Sequence, residues 1–188
     1  MANTVLRILH EYTEFIHREL VDADYKLAKA PPLNKQGIEK PCLVIPAVTT
    51  GNLPHANFSL YGAENEFFQA PYIMIGFDEN ASDYENSSTQ LLIQTCCYPS
   101  ESYVNNPQDP KHDLDIPDNK AYEDVINLLE WLKDRLLSVG GVGGTTIEKP
   151  VKLGSYNTKE LTYPYSFGYL SFQINSVSHD INRNKINY

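Results

Sequence analysis

Histidine and cysteine are the residue types in this sequence that most often hold metal ions, so their spacing is the first question. His10 and His17 stand seven residues apart on a predicted helix, which places them on one face but two turns apart. Cys96 and Cys97 are adjacent, and neither has a partner at the spacing of a zinc site. No H-E-x-x-H motif occurs. The sequence therefore predicts no metal site.

Two other segments suggest ion or phosphate binding at first sight. Asp113 and Asp115 lie in an acid-rich stretch, but a calcium loop also requires a glycine turn and a terminal glutamate. The run GGVGGTT at residues 140–146 lacks the lysine of a phosphate-binding loop and follows a predicted helix rather than a strand. We interpret the first as an exposed loop and the second as a flexible helix-to-strand turn. No cofactor is predicted.

Nucleophilic or acid–base catalysis has equally little support. The sequence contains no G-x-S-x-G motif. The acidic pairs Asp78–Glu79 and Asp83–Glu85 could serve as proton donors and acceptors, but they fall in a connector rich in turn residues, where carboxylates are ordinarily solvated. We therefore predict that the protein is not an enzyme and has no catalytic residue.

The aromatic content is more informative, because the chain contains 13 tyrosines. Tyrosine and phenylalanine outside a core anchor protein–protein contacts, since they bury a large area at a small entropy cost. The residues predicted to form a subunit or partner interface are Phe58, Tyr61, Phe67, Phe68, Tyr169 and Gln173. For the first four, a place in the core is an equal alternative, whereas Phe167 and Phe172 are predicted to be core residues.

Composition excludes several classes of protein. The formal net charge of −9 argues against a nucleic-acid groove, which needs an excess of lysine and arginine on one face. No run approaches the roughly 18 to 20 apolar residues of a membrane span, so no membrane is expected among the partners. The first residues lack the pattern of a signal peptide. We expect a protein made in the cytoplasm, with reduced and buried thiols.

Hydrophobic periodicity predicts two amphipathic helices, over residues 4–22 and 120–139. In the second, Tyr122, Val125 and Leu129 begin the predicted core stripe. The predicted strands cover residues 42–48, 71–79, 89–98, 145–156 and 163–174. This order predicts an α+β fold (mixed α/β), a two-layer sandwich in which two main helices pack on a mostly antiparallel sheet.

The chain is predicted to form a single domain over residues 1–175, with long loops at about 49–70 and 99–117 and a polar C-terminal arm at 176–188. In the last strand, alternation assigns Leu170, Phe172 and Ile174 to the core and Tyr169, Ser171 and Gln173 to the opposite face. Gly168 indicates a bulge or a close backbone approach. Nothing in this strand supplies the convergent polar groups of a small-molecule pocket.

Two segments together resemble the tail terminator (tail-completion) family of long-tailed bacteriophages and prophages. One is a helix pattern, Y-x-D-V-x-N-x-x-x-x-L-x-x-x-L, and the other is a closing Y-P-Y-x-F-G motif. The matching residues are Tyr122, Asp124, Val125, Asn127, Leu132 and Leu136 in the helix and Tyr163, Pro164, Tyr165, Phe167 and Gly168 in the closing motif. The resemblance covers about residues 71–174. The sequence departs from the pattern at residues 30–70, 99–117 and after 176.

The resemblance implies a structural role without catalysis or cofactor. Members form a ring, commonly a hexamer, that caps the tail tube and joins it to the head–tail connector. The implied partners are further copies of the chain, the tube protein and the connector or head-closure protein, with DNA passing through the lumen without specific binding. The implied location is the virion, at the head–tail interface, after assembly in the host cytoplasm. Two alternatives stay open: a head-closure, tail-adaptor or other minor tail protein of the same particle, and a small-molecule or carbohydrate-binding module using the tyrosines.

Overall fold

The computed structural model describes residues 5–30, 42–51, 70–82, 86–99, 120–156 and 165–177. Within these ranges the helices are α1 (Val5–Asp22) and α2 (Lys120–Val139). The strands are β1 (Leu27–Ala28), β2 (Leu43–Val44), β3 (Ala47–Thr50), β4 (Tyr72–Ser82), β5 (Asn86–Cys97), β6 (Thr145–Ser155) and β7 (Ser166–Val177). Five strands form one sheet in the order β3-β4-β5-β7-β6, and β1 pairs with β2 separately.

The predicted fold class is confirmed. The pairs β4–β5, β5–β7 and β6–β7 are antiparallel, and only the short β3 runs parallel to its neighbour β4. Both helices cover the same face of the sheet, because Tyr12 of α1 contacts Phe172 and α2 lies over Gly168, four residues away on the same strand. The protein is therefore an α+β sandwich of a helix layer on a mostly antiparallel sheet.

The core lies between these two layers. The buried residues of α1 follow its predicted stripe: Ile8, Leu9, Tyr12, Phe15, Ile16 and Leu20. In α2 the prediction for Tyr122 is wrong, because this side chain is 47% exposed. Ala121 occupies the buried position of the first turn instead, four residues before Val125 and on the same side of the helix. Val125, Leu129, Leu132 and Leu136 are buried as predicted, whereas Ile126, which the same stripe also includes, is only partly buried.

Strand β7 has the predicted sidedness with shifted ends. It begins three residues later than predicted and continues to Val177, so Ser176 and Val177 belong to the sheet rather than to a polar arm. Leu170, Phe172 and Ile174 are buried against the helices, as predicted. Residues 178–188 lie outside the described residues.

The first part of the sheet also differs in detail from the prediction. The predicted strand 42–48 is two short strands, β2 and β3, separated at Ile45 and Pro46, because proline cannot donate to a strand ladder. Thr49 and Thr50 belong to β3, although the sequence predicts a loop from residue 49. The remainder of that loop from residue 52 to 69, and residues 100–117 of the second predicted loop, lie outside the described residues.

The glycine-rich turn after α2 leads into β6, as the sequence predicts, and it is held by side chains of α1. Gly140 ends the helix with a positive φ of 71°. Thr145 Oγ1 donates to Val142 O (2.6 Å), so the Tyr12 hydroxyl, 3.0 Å away, is the donor to Thr145 Oγ1. The side chain of Glu11 lies directly against Gly143, where a Cβ would overlap its carboxylate. A hydrogen bond from Tyr12 and the packing of Glu11 thus hold the turn against α1.

Gly168 makes the close backbone approach that the sequence suggested. Its register with Thr95 is regular, so there is no bulge at this position. A Cβ placed on Gly168 would lie 2.5 Å from Val125 Cγ1 and 2.7 Å from Leu129 Cδ1. Helix α2 therefore rests directly on the backbone of β7.

We expect Gly168→Val to lower the free energy of unfolding by about 1–3 kcal/mol, because the new side chain forces α2 away from β7. Urea unfolding followed by circular dichroism measures this change. Gln173→Val on the exposed face of the same strand is the matched control and should shift stability by no more than about 0.5 kcal/mol. Equal midpoints for the two variants would contradict the proposed packing.

Candidate subunit interface

The face of the sheet opposite the helices is the candidate functional surface, and we call its described part on β5, β6 and β7 the open face. Alternation along each strand assigns its side chains. They are Ser88, Gln90, Leu92, Gln94, Glu148, Lys152, Tyr169, Ser171, Gln173 and Asn175, with Tyr156 just after β6. Helices cover the other side of the same strands, so this face is the part of the sheet that a partner could contact.

Two of the predicted interface residues lie on the open face. Tyr169 is partly buried and stands between Gln94 and Gly154, whereas Gln173 is exposed and stands between Gln90 and Glu148. Ser171 between them shares this face, as predicted, but is itself buried. The other predicted residues, Phe58, Tyr61, Phe67 and Phe68, lie outside the described residues, so they remain predictions.

The polar side chains of the open face are tied to each other across the strands. Gln90 Nε2 donates to Ser171 Oγ (3.0 Å), and Gln94 Nε2 donates to the Tyr156 hydroxyl (2.6 Å). The amide of Gln173 donates to Ser88 Oγ, and that of Asn175 donates to the Glu148 carboxylate. These bonds hold flexible side chains in one arrangement before a partner binds, which lowers the entropy cost of association.

An aromatic pair lies at one end of this surface, where β6 ends. The rings of Tyr156 and Tyr169 have centroids 5.1 Å apart at an interplanar angle of 48°. The Tyr169 ring also lies on Gly154, where a Cβ would be 2.6 Å from Tyr169 Cζ. Gly154 thus lets the ring lie against the sheet. Gln90, Gln94, Gly154 and Tyr156 were not among the predicted interface residues. Two signals in the sequence pointed to them: Gln90 and Gln94 are four residues apart and so share one face of β5, and Gly154 is a glycine inside a strand.

The charge distribution sets this face apart from the rest of the molecule. Strands β5 and β7, NSSTQLLIQTCC and SFGYLSFQINSV, contain no charged residue, although the chain has 15 basic and 24 acidic residues. Glu148 and Lys152 lie on β6, at the edge of the sheet. Depletion of charge together with partly exposed tyrosine is the composition found at the centre of protein–protein interfaces.

A second, smaller hydrophobic cluster lies next to the open face, beyond Tyr169, where Cys96 of β5 pairs with Phe167 of β7. Ala28, Ala30, Ala70, Cys96 and Tyr98 are buried in it, and Tyr72, Tyr165 and Phe167 pack against them. The Tyr98 and Tyr165 ring centroids are 5.5 Å apart. Burial raises the pKa of Tyr72, Cys96 and Tyr165 above their ordinary values, so all three stay protonated at neutral pH. Phe167 is therefore a packing residue, as predicted, although of this cluster rather than the main core.

The cysteines differ in environment, which corrects one prediction. Cys96 and Cys97 are buried, but Cys42 is exposed, because it precedes β2 at the surface. Burial, reinforced by the nearby carboxylate of Asp124, raises the pKa of the Cys97 thiol to about 12. Cys97 is therefore an unreactive packing residue of the main core.

The described ranges contain neither a metal-binding group nor a membrane-spanning helix. Their His, Cys, Asp and Glu side chains form no group of three or more that could hold a metal ion. No helix in the described part of the chain is long and apolar enough to cross a membrane. The chain matches no protein-family model, and comparison with the curated proteins gives no match either. The open face is thus the surface whose geometry suggests a function.

We expect the protein to lose stability between pH 9 and 12. A thiol whose pKa is raised on folding stabilises the native state while it is protonated, and the unfolded thiol begins to ionise near its ordinary pKa of about 8.5. Above that value the free energy of unfolding should fall by on the order of 1 kcal/mol per pH unit from Cys97 alone. Urea midpoints at pH 8, 10 and 11 measure the slope. Cys97→Ser should flatten it, and an unchanged slope would contradict the buried thiol.

Proposed function

We propose that this chain is a structural subunit of a bacteriophage tail: a tail terminator whose copies form a ring that caps the tail tube and joins it to the head connector. The ring is expected to be hexameric, and the protein to be located in the virion at the head–tail interface. In this role the protein has no catalytic residue and no cofactor.

The observation that carries the proposal is the packing of the two segments that resemble the family. The helix pattern lies on α2, and the described part of the closing motif leads into β7. Val125, from the helix pattern, lies directly over Gly168, from the closing motif. Both motifs therefore belong to one helix-on-strand unit at the centre of the fold, which is what a shared fold would require of separated sequence motifs.

The open face supports an assembly role for this unit. The uncharged strands β5 and β7, the hydrogen-bonded amides and the tilted Tyr156–Tyr169 pair suit a contact with another protein surface. The amides donate to neighbouring side chains rather than converging on a common centre, which favours a protein contact over a carbohydrate pocket.

The sheet edges favour contacts through faces rather than by strand addition. The edge strand β6 has an irregular register between Glu148 and Lys152, and Lys149 and Pro150 lie in that irregular part. Charged residues, proline and bulges on an edge strand prevent pairing with another sheet. At the other edge, β3 has only four residues. Ring neighbours would therefore meet through side chains.

The charge of the chain suits the passage of DNA. With a net charge of −9, a ring of this protein has an excess of carboxylates over basic groups, which disfavours holding phosphates. DNA would then move through the lumen without specific binding. The partners in this proposal are neighbouring copies, the tube protein and the connector or head-closure protein.

We expect deletion of the gene from its phage or prophage to give overlong tails that are not joined to heads, visible by negative-stain microscopy. Complementation with the wild-type gene should restore normal tails. Gln173→Arg, which places a larger charged side chain beside Glu148 on the open face, should reduce complementation at least about tenfold, since removing a charged group from water in an interface is costly. The matched control is Ser138→Arg, on the exposed surface of α2 and outside the helix pattern.

Three outcomes would contradict parts of the proposal. Complete tails beside unsealed heads would indicate the head-closure alternative. Normal particles without the gene product would rule out both assembly roles. Full complementation by Gln173→Arg would leave the terminator role intact but exclude the open face as the interface.

A further inference from the structure

The two edges of the main sheet carry exposed charges of opposite sign. On one side, β3 pairs only with the first half of β4, so the second half, Phe77–Ser82, is itself an edge, and all of it is exposed. Asp78 and Glu79 lie there, and we call them the acidic edge. On the other side, the edge strand β6 carries exposed Lys149 and Lys152, which we call the basic edge.

The fold does not neutralise either edge. None of the four side chains has an ion-pair partner among the residues that the structure describes. No basic residue lies in the Phe77–Ser82 half of β4. Glu148, the acidic residue of β6, accepts a hydrogen bond from the Asn175 amide on the open face, and the two lysines beside it leave the basic edge with a net positive charge.

The acidic and basic edges lie at the two ends of one row across the sheet. Phe77 pairs with Leu91, and Leu91 pairs with Phe172. The register of β4 is broken directly after Phe77, at Asp78. The register of β6 is broken directly opposite Phe172, by residues 149–151. The two breaks are therefore at the same level along the strands, and both carry charge.

The edges also match in the side of the sheet that they use. Glu79 pairs with Gln90, and Lys152 pairs with Ser171. Gln90 and Ser171 belong to the open face, so Glu79 and Lys152 point to that side as well. The acidic and basic edges are thus complementary in sign, in level and in side.

We propose that the acidic edge of one copy of this chain binds the basic edge of a second copy. Asp78 then faces Lys149 of the second copy, and Glu79 faces Lys152 of the second copy. Charge pairs of this kind choose the partner and its orientation more than they add affinity, so the contact between two copies is weak and sensitive to salt.

An apolar pair accompanies the charges. Phe77, directly before the acidic edge, is 44% exposed, and Pro150, between the two lysines, is also exposed. Both lie in the row that the two breaks share, so the contact brings them together and removes apolar surface from water. The breaks and Pro150 prevent main-chain pairing between the edges, so side chains make the contact.

Charge complementarity selects a head-to-tail arrangement. A twofold contact would set each edge against itself and bring like charges together. A head-to-tail contact leaves each end copy with one free edge, so that further copies add until a ring closes. Closure into a ring rests on the proposed function, whereas the contact between two copies does not.

Two charge-reversed variants test the contact in sedimentation velocity of the full chain. Asp78→Lys with Glu79→Lys makes both edges basic, and Lys149→Glu with Lys152→Glu makes both edges acidic. At about 10 mM salt, where charges act over roughly 30 Å, the wild type should associate reversibly, and more weakly at about 150 mM. Each variant alone should associate at least about tenfold more weakly than the wild type.

Mixing the two variants is the decisive measurement. In the mixture every edge finds an edge of opposite charge on the other variant, so association should return to within about threefold of the wild type. Copies of the two variants must alternate, so a closed ring of the mixture has an even number of subunits, as a hexamer does. Recovery on mixing also shows that each variant is folded.

The matched control is Glu130→Lys with Asp134→Lys, on the exposed surface of α2. It changes the net charge by the same amount as Asp78→Lys with Glu79→Lys. It should associate like the wild type within about threefold, and it should not restore association when it is mixed with the variant whose edges are both acidic.

Each contrary outcome overturns a defined part of the proposal. A wild type that stays monomeric up to several hundred micromolar at low salt excludes the contact. A mixture that associates no better than the single variants excludes the pairing of the two edges, and equal rescue by the α2 control would reduce the effect to net charge. Overlong tails on gene deletion together with failed mixing reject only this contact, whereas normal particles together with successful mixing reject only the tail function.

Discussion

The contact between α2 and the backbone of β7 at Gly168 is the constraint on which the rest of the structure depends. Val125 and Leu129 occupy the space that any larger side chain would need, so the helix sits as close to the strand as the backbone allows. Strand β7 lies between β5 and β6 and also contacts Tyr12 of α1 through Phe172. Fixing β7 therefore fixes both helices and decides which side chains point away from them.

One consequence is the absence of charged side chains from the central strands β5 and β7. Because β5 and β7 are central and helix-covered on one face, charged side chains on them would be costly there, and in fact neither strand has any. The helix-facing residues of these strands need no charge, but the open face could have carried lysine and glutamate at no such cost. It instead carries amides, hydroxyls and tyrosines bound to each other. The uncharged, hydrogen-bonded side chains of the open face are the strongest structural argument that this face contacts another protein.

The outer side of the helix layer differs from the open face in side-chain composition. There α1 mixes apolar, histidine and charged side chains, whereas the core stripe of the same helix is buried and apolar apart from the Tyr12 hydroxyl. The open face, by contrast, is organised by hydrogen bonds between side chains of neighbouring strands.

The sequence by itself determined the helices, the sidedness of the last strand and the fold class, because hydrophobic periodicity is a local signal that burial must satisfy. Tyr169 and Gln173 were placed on the correct face for this reason. Tertiary structure alone decided that Ala121 replaces Tyr122 in the core, that Gly154 receives the Tyr169 ring, and that β3 pairs in parallel with β4. These features depend on which elements become neighbours across long separations in the chain. A local sequence pattern does not identify the element that will pack against it.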